Sequence, residues 1–230
     1  MSIYVLANWK AHKTLPEAAA WFETFSGLYR PKPGLEVIVA PPTPYLIPLA
    51  QQLRQYDIDH LALAVQDLSP FPFGAYTGAV AAAMVSDVAG YAILGHVERR
   101  RYFHETNQDV ANKAAEATTA GIRPIVCIDR PHARSQMAAL QEESLAGLMI
   151  GYRPVEAIGI DIPQSPAEAG KVVRQLCEIA PGKPILYGGS LSSDNAATYL
   201  KIDGVAGLMV GTASLDAEEF ARICRMAAGL

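Results

Sequence analysis

The chain has 230 residues, of which 50% are hydrophobic and 18% charged, and its formal net charge is −4 at pH 7. This composition excludes a disordered chain, and the slightly acidic balance does not favour nucleic acid or an anionic membrane as a partner. No uninterrupted apolar run approaches the roughly 18 residues of a membrane span, and the N-terminal MSIYVLANWK lacks the form of a signal peptide. We therefore expect a soluble, cytoplasmic protein.

Short apolar runs alternate with longer, helix-like segments along the chain. The runs have the length and continuous hydrophobicity of strands that are covered on both faces, as in a parallel sheet. They predict eight strands, at residues 3–7, 36–40, 61–65, 91–94, 123–127, 147–152, 184–187 and 207–210. Helices are predicted between them, including residues 16–29, 79–88, 109–120, 166–179 and 216–228. Ser165, Asp194 and Asp216 are the expected helix caps.

Eight successive strand–helix units in about 230 residues predict an α/β protein with a closed (β/α)8 barrel. A doubly wound open sheet is the structural alternative, but it would usually have a glycine-rich turn after the first strand, where this chain has ANWKAHK. No linker or charge block divides the sequence. We therefore expect a single domain over residues 1–230.

Polar side chains follow several of the predicted strands, at the end of a barrel where function is located. Asn8 and Lys10 follow the first strand, and side chains two residues apart face the same way. Lys10 can neutralise a phosphate or a developing oxyanion, or it can be a solvated loop residue.

His96 and Glu98 follow the fourth strand, at the start of a predicted helix. The positive end of a helix dipole lowers a histidine pKa, and a neutral imidazole can donate a hydrogen bond to a carbonyl; a capping or core histidine is the alternative. Glu98 is either a catalytic acid or the carboxylate that holds Lys10, and the second is preferred. Arg99 and Arg100 are expected to be structural ion-pair partners.

Two glycine-rich turns follow the seventh and eighth strands, YGGS at residues 187–190 and VGTAS at residues 210–214. Such turns present backbone N–H groups to an anion, and this pair of turns is the usual phosphate site of such barrels. The alternative is that the glycines serve only tight turns. The widely spaced Cys127, Cys177 and Cys224 form no metal or disulfide pattern, and Cys127 is expected to be a buried thiol.

A series of motifs resembles the triosephosphate isomerase family. The family's ANWK is found at residues 7–10, its ILGHSERRxYFxET appears as ILGHVERRRYFHET at residues 93–106, and its YGGS is at residues 187–190. Its GAFTGE loop is matched by GAYTGA, which begins at Gly74 and ends at Ala79. PIVC at residues 124–127 and LMVGTASL at residues 208–215 also match, so the resemblance extends over most of the barrel.

The resemblance implies the interconversion of glyceraldehyde 3-phosphate and dihydroxyacetone phosphate, without a metal or a cofactor. It implies that Lys10 and His96 polarise the substrate with support from Asn8. The residues that it places around the phosphate are Gly159, Ser190, Gly211 and Thr212. It also implies that the loop from Pro154 closes over the ligand, and that the protein is a homodimer or higher homo-oligomer in which Thr77, in the loop of residues 74–79, reaches the neighbouring site.

The sequence departs from the family at the catalytic base. Where the family has AYEPVWAIGTG, this chain has GYRPVEAIGID, so the family's catalytic glutamate aligns with Arg153. The family serine that hydrogen-bonds that glutamate in the open loop is Val97 here. Glu156 replaces the family tryptophan, as a glutamate does in short archaeal-type members. In this chain Glu156 is expected to pair with Arg153 or Arg130, and the alternative is that it serves as a substitute base.

Arginine cannot accept a proton at neutral pH, so isomerisation is expected to be impaired or altered. Two functions are compatible with this sequence. One is a divergent isomerase that uses Glu156, Glu98 or another residue as its base. The other is a non-catalytic, ligand-binding or regulatory protein that prefers a small phospho-carboxylate, because Arg153 beside Lys10 makes the barrel mouth more positive.

Overall fold

The eight strands form a closed parallel barrel in sequence order, in which β8 pairs with β1. This computed structural model describes residues 2–56, 58–140, 142, 146–154 and 164–229. The strands are β1 (Ile3–Asn8), β2 (Leu35–Ala40), β3 (Leu61–Val65), β4 (Tyr91–Leu94), β5 (Arg123–Ile128), β6 (Met149–Tyr152), β7 (Ile185–Tyr187) and β8 (Val205–Val210). The predicted (β/α)8 fold and all eight predicted strands are confirmed, with small differences at the strand ends.

Helices follow most of the strands and cover the outside of the barrel. Within the described residues they are α1 (Leu15–Leu28), α2 (Leu46–Tyr56), α3 (Val97–Tyr102), α4 (Asn107–Thr119), α5 (Ala133–Ala138), α6 (Pro166–Ile179), α7 (Ala196–Leu200) and α8 (Ala217–Ala227). None of these helices combines the length and the apolar character that crossing a lipid bilayer requires.

The strands are apolar on both faces because each face packs against hydrophobic side chains. On β1 and β2, Leu6 and Ile38 point into the barrel, whereas Val5 and Val37 pack in the layer beneath the helices. The barrel interior is filled by Leu6, Ile38, Ala40, Ala64, Ile93, Ile125, Cys127, Met149, Leu186 and Met209. Because the interior is packed, ligands can reach only the ends of the barrel.

Two of the three predicted helix caps are confirmed. The Ser165 hydroxyl accepts the N–H of Glu168 at 3.3 Å, and a carboxylate oxygen of Asp216 accepts the N–H of Glu219 at 2.8 Å. The prediction for Asp194 is wrong, because α7 begins one residue later than an Asp194 cap requires, after Asn195. The Asp194 N–H instead donates to the Ser192 hydroxyl at 3.3 Å within the turn.

The prediction of a helix at residues 79–88 is also wrong. Only Ala82–Met84 form a short 3-10 turn there. The carbonyl of Val80 accepts the N–H of Ser69 at 2.8 Å, and Ala81 has extended backbone, with φ −68° and ψ 145°. This tertiary hydrogen bond holds the segment extended at the position where a helix would have to begin, so the alanine-rich composition does not decide the conformation.

The seam between β1 and β8 is unusually close at one point. Gly207 lies opposite Tyr4, and a Cβ atom added to Gly207 would lie 2.1 Å from the Tyr4 carbonyl oxygen. No side chain fits at that distance, because the obstructing atom belongs to the backbone. Glycine at this position is therefore required for the barrel to close with this spacing.

Candidate active site

The end of β1 places Lys10 at the mouth of the barrel. Asn8 is buried, and its side-chain oxygen accepts the N–H of Lys10 at 3.0 Å. Gln66, which follows β3, donates its amide to the carbonyl oxygens of Lys10 at 2.9 Å and Ala40 at 2.8 Å. These bonds hold Lys10 in left-handed backbone, with φ 52°. Such a conformation is unfavourable for a residue with a side chain and is found most often at functional sites.

Glu98 forms an ion pair with Lys10, with 2.7 Å between Nζ and Oε1. Burial by itself raises the pKa of Glu98, but the hydrogen bond from Lys10 and the positive charges of Lys10 and Arg153 lower it, so that the net shift is downward. Glu98 is therefore ionised at neutral pH. This geometry agrees with the preferred interpretation that the carboxylate holds Lys10 in place.

His96 is the N-cap residue of α3 and is 5% exposed. Its Nδ1 accepts the N–H of Glu98 at 3.3 Å, so that in the neutral ring the proton is on Nε2. Burial lowers the pKa of His96 to about 4; Glu98 opposes this shift, whereas Arg153 and Lys10 add to it. The imidazole is therefore neutral at pH 7, as predicted, although burial rather than a helix dipole is its main cause.

Arg153 directly follows β6 and lies beside His96. The two side chains line one pocket together with Val97, Cys127, Ile128, Asp129 and Gly151. Arg153 is close enough to lower the pKa of both His96 and Glu98 by its positive charge. The cation thus faces the site. Glu156 and Gly159, which were also predicted to contribute, lie outside the described residues.

Cys127 faces the same pocket from the barrel interior and is buried, as predicted. Burial raises the pKa of its thiol to about 12, and the coulombic effect of Arg100 opposes this only in part. A thiol with such a pKa is neither a base nor a nucleophile at neutral pH. Within the described residues, the structure has no group of three or more His, Cys, Asp or Glu side chains arranged to hold a metal ion.

The turns after β7 and β8 contain Ser190, Gly211 and Thr212. Asn195 donates to the Ser190 carbonyl at 2.9 Å, and the Ser214 hydroxyl donates to the Gly211 carbonyl at 2.6 Å, so both turns have fixed backbones. Among the described residues, the N–H groups of Gly211 and Thr212 have no acceptor. They can therefore donate to an anion at the barrel mouth.

An ion-pair network beneath α3 fixes the segment that contains His96 and Glu98. Arg99 contacts Asp67 at 2.7 Å and Glu105 at 3.2 Å, and the buried Lys113 contacts the same two carboxylates. Arg100 donates to the carbonyl of Gly95 at 2.9 Å and to the side chain of Asn107 at 2.7 Å. Arg99 is thus an ion-pair partner, as predicted. The prediction for Arg100 is wrong in kind, because within the described residues its hydrogen bonds go to neutral groups and it forms no ion pair.

The residues predicted from the sequence do not include Asp129, which lines the pocket beside Arg153. Asp129 directly follows β5, so the rule that points to Lys10 and His96 points to it as well. Its hydrogen-bond partner Gln136 lies in the next helix, α5, and is 4% exposed. No sequence pattern links the two, because their contact depends on the turn Arg130–His132.

The fold and site define a (β/α)8 barrel whose mouth combines a lysine, a neutral histidine and two backbone turns suited to an anion. A family model described as triosephosphate isomerase matches residues 3–227. Proteins named triosephosphate isomerase from Xanthomonas euvesicatoria pv. vesicatoria (strain 85-10) and Xanthomonas campestris pv. campestris (strain 8004) are 36% and 37% identical to this chain, with 97% of each chain covered. One from Xylella fastidiosa (strain M23) is 37% identical over 96% of this chain and 97% of its own. The chain belongs to the triosephosphate isomerase family.

Proposed function

We propose that this protein binds a small sugar phosphate at the barrel mouth, without a metal or a cofactor. Ser190, Gly211 and Thr212 surround the phosphate, together with Gly159, and Lys10 and His96 polarise the carbonyl with support from Asn8. The available N–H groups of Gly211 and Thr212 and the neutral state of His96 support this assignment. Isomerisation of glyceraldehyde 3-phosphate and dihydroxyacetone phosphate is slow compared with that of members that have a glutamate after β6.

The position of Arg153 beside His96 carries this proposal. Isomerisation needs a base that moves a proton between adjacent carbon atoms, and a guanidinium with a pKa above ~12 cannot accept it. The loss of a positioned general base typically lowers the rate by ~10²–10⁴-fold, or about 3–5 kcal/mol in activation free energy. Lys10 and His96 still stabilise the developing negative charge, so some turnover is expected.

Turnover of glyceraldehyde 3-phosphate by the purified protein and by Arg153→Glu tests the proposal. The substitution places a carboxylate after β6 and is expected to raise kcat by at least about tenfold, because it supplies a base. Arg174→Glu, at an exposed position on α6, makes the same charge change away from the barrel mouth and is expected to leave kcat unchanged. Wild-type turnover close to that of glutamate-containing family members would contradict the proposal.

The second candidate function is binding of a phospho-carboxylate without turnover, as in a regulatory protein. The observation that favours this function is the positive charge that Arg153 brings to the site, which lowers the pKa of both His96 and Glu98. A guanidinium can hold a carboxylate with two parallel hydrogen bonds. Calorimetry compares phosphoglycolate with glycerol phosphate, and this function is excluded if phosphoglycolate does not bind more tightly.

We further propose that the protein acts in the cytoplasm as a homodimer or higher homo-oligomer through the loop of residues 74–79. Phe73 and Tyr76 are exposed by 62% and 44%, and Phe71 stacks on Tyr76 with 4.5 Å between ring centroids. Exposed aromatic side chains that are grouped on one loop favour burial against another chain. In such an oligomer Thr77 would reach the neighbouring site.

A further inference from the structure

Asp129 lies level with Arg153 at the mouth of the barrel. Strands β5 and β6 are paired through Ile128 and Tyr152, so the next residues on these two strands are Asp129 and Arg153. On the other side, β4 pairs with β5 through Leu94 and Val126, and Val97 follows β4 as the first residue of α3. The pocket that contains His96 is lined by Asp129, Arg153 and Val97. Asp129 is therefore a lining residue of this pocket, one strand away from the arginine.

The Asp129 carboxylate is held in a fixed orientation. The side-chain amide of Gln136 accepts the Asp129 N–H at 3.0 Å and donates to Oδ1 at 3.1 Å. The other carboxylate oxygen lies 3.1 Å from Nδ1 of His132. These contacts use two of the roughly four acceptor positions of the carboxylate, so that others are available to a proton from a ligand. The Asp129 side chain is 19% exposed, so it is not fully enclosed by the protein.

We propose that Asp129 is the general base of this protein. The proposal rests on the proposed binding of a sugar phosphate at the same site. Asp129 removes a proton from C1 of dihydroxyacetone phosphate; the C–H electron pair forms the C1–C2 double bond, and the carbonyl electron pair moves to the C2 oxygen. His96 and Lys10 stabilise the resulting oxyanion on the C2 oxygen. A proton then moves from the C1 hydroxyl to the C2 oxygen, and return of the proton from Asp129 to C2, as the C1–O bond becomes the carbonyl, gives the aldehyde.

The neighbouring groups favour Asp129 over the alternatives within the described residues. Cys127 has a thiol that burial keeps protonated, and the carboxylate of Glu98 is engaged by Lys10. Among the described residues that line this pocket, Asp129 is the only carboxylic acid. His96, after β4, and Arg153, after β6, line the same pocket as Asp129, and His132, in the turn that follows β5, contacts its carboxylate. Arg153 then acts beside the base as a cation that stabilises the enediolate.

Exchange of deuterium from solvent into C1 of dihydroxyacetone phosphate, followed by NMR, measures proton removal directly. Asp129→Asn keeps the shape and the hydrogen bonds of the side chain but removes the base, and is expected to lower the exchange rate by about 10²-fold or more. The affinity for glycerol phosphate, measured by calorimetry, is expected to change by less than about threefold. Asp87→Asn, an exposed substitution of the same kind, is the matched control and should leave both quantities unchanged.

A double-mutant cycle separates a catalytic role from a structural one. If Asp129 is the base, Asp129→Asn lowers exchange about 10²-fold in the wild-type background but less than about tenfold in Arg153→Glu, which has its own carboxylate. Equal losses in the two backgrounds would mean that Asp129 is only structural and would overturn the proposal. It is also overturned if the wild type exchanges no deuterium, or if Glu156→Gln removes exchange while Asp129→Asn does not. If the wild type binds no glycerol phosphate, the proposed function itself fails. If binding is unchanged and Asp129→Asn does not alter the exchange rate, only the role of Asp129 is refuted.

Discussion

Lys10 and Glu98 join the turn after β1 to the first turn of α3 through an ion pair of 2.7 Å. About a third or less of each side chain is exposed, so the pair is partly shielded from solvent. Because Glu98 is on the helix that His96 caps, the pair fixes the lysine relative to the imidazole. The two groups proposed to polarise the carbonyl are thus positioned by one short segment.

Glu98→Gln is expected to weaken binding of glycerol phosphate by about tenfold, or about 1.4 kcal/mol, because Lys10 loses the carboxylate that orients it. The free energy of unfolding should change by less than about 1 kcal/mol, since partly exposed ion pairs contribute little to stability. Calorimetry and urea denaturation measure the two effects. Glu23→Gln, an exposed position on α1, serves as the control. Unchanged affinity in Glu98→Gln would show that Lys10 does not depend on this pair.

The lowered pKa of His96 predicts a pH dependence of stability. The unfolded chain protonates this imidazole near its usual pKa of 6.5, whereas the folded protein does so only near 4. Between these values the unfolded state binds more protons, so the free energy of unfolding falls as the pH decreases from about 6.5 to about 4. Urea denaturation at several pH values is therefore expected to show a shallower pH dependence for His96→Gln than for the wild type. His12→Gln, at an exposed position, should retain the wild-type slope, and an unaltered slope in His96→Gln would contradict the assignment.

Gly207→Ala is expected to prevent folding or to lower the free energy of unfolding by several kcal/mol, because the new methyl group would overlap the Tyr4 carbonyl oxygen. The matched substitution is Gly27→Ala in α1, where a Cβ atom meets no other atom within 4 Å. It should raise stability by about 0.5–1 kcal/mol, because alanine favours the helix. Circular dichroism during urea denaturation distinguishes the two. If Gly207→Ala were as stable as the wild type, β1 and β8 would be able to move apart at this point without loss of stability.

Phe73→Ser tests the proposed association of subunits. If the loop of residues 74–79 and its flanking aromatic residues are buried between chains, removal of this ring is expected to shift the molecular mass in solution towards that of the monomer. Light scattering during size-exclusion chromatography measures the mass over a range of concentrations. Ile47→Ser removes a hydrophobic side chain that is 56% exposed on α2 and serves as the control. A wild-type protein that is already monomeric at all concentrations would refute the proposal.

The barrel itself could be predicted because the strands are apolar on both faces over most of their length and alternate with helical segments, a pattern typical of a covered parallel sheet. Lys10 and His96 could be found for the same reason, since a strand end determines which residues reach the mouth. The helix at residues 79–88 could not be predicted correctly, because the hydrogen bond between Ser69 and Val80 is a tertiary contact.

Within the site, the sequence did not reveal how the side chains are held. The contact between Asp129 and Gln136 depends on the path of the chain between β5 and α5, and the burial of Lys113 against Glu105 depends on how α4 packs. Hydrophobic periodicity contains no information on such polar contacts, because they are determined by distances between separate elements. The sequence predicted that Arg153 follows the sixth strand, but its position beside His96 could be seen only in the structure of the barrel.

The pairing of β1 with β8 also determines when the site can form during synthesis. Tyr4 is synthesised long before Gly207, yet the two strands must meet before the barrel is closed. Contacts between such distant parts of a chain form slowly, because the entropy of closing a long loop is lost before the contact is gained. Until β8 arrives, β1 and β7 are open edges on which another chain can add. A nascent chain of this protein is therefore expected to need shielding until β8 has been made and the barrel can close.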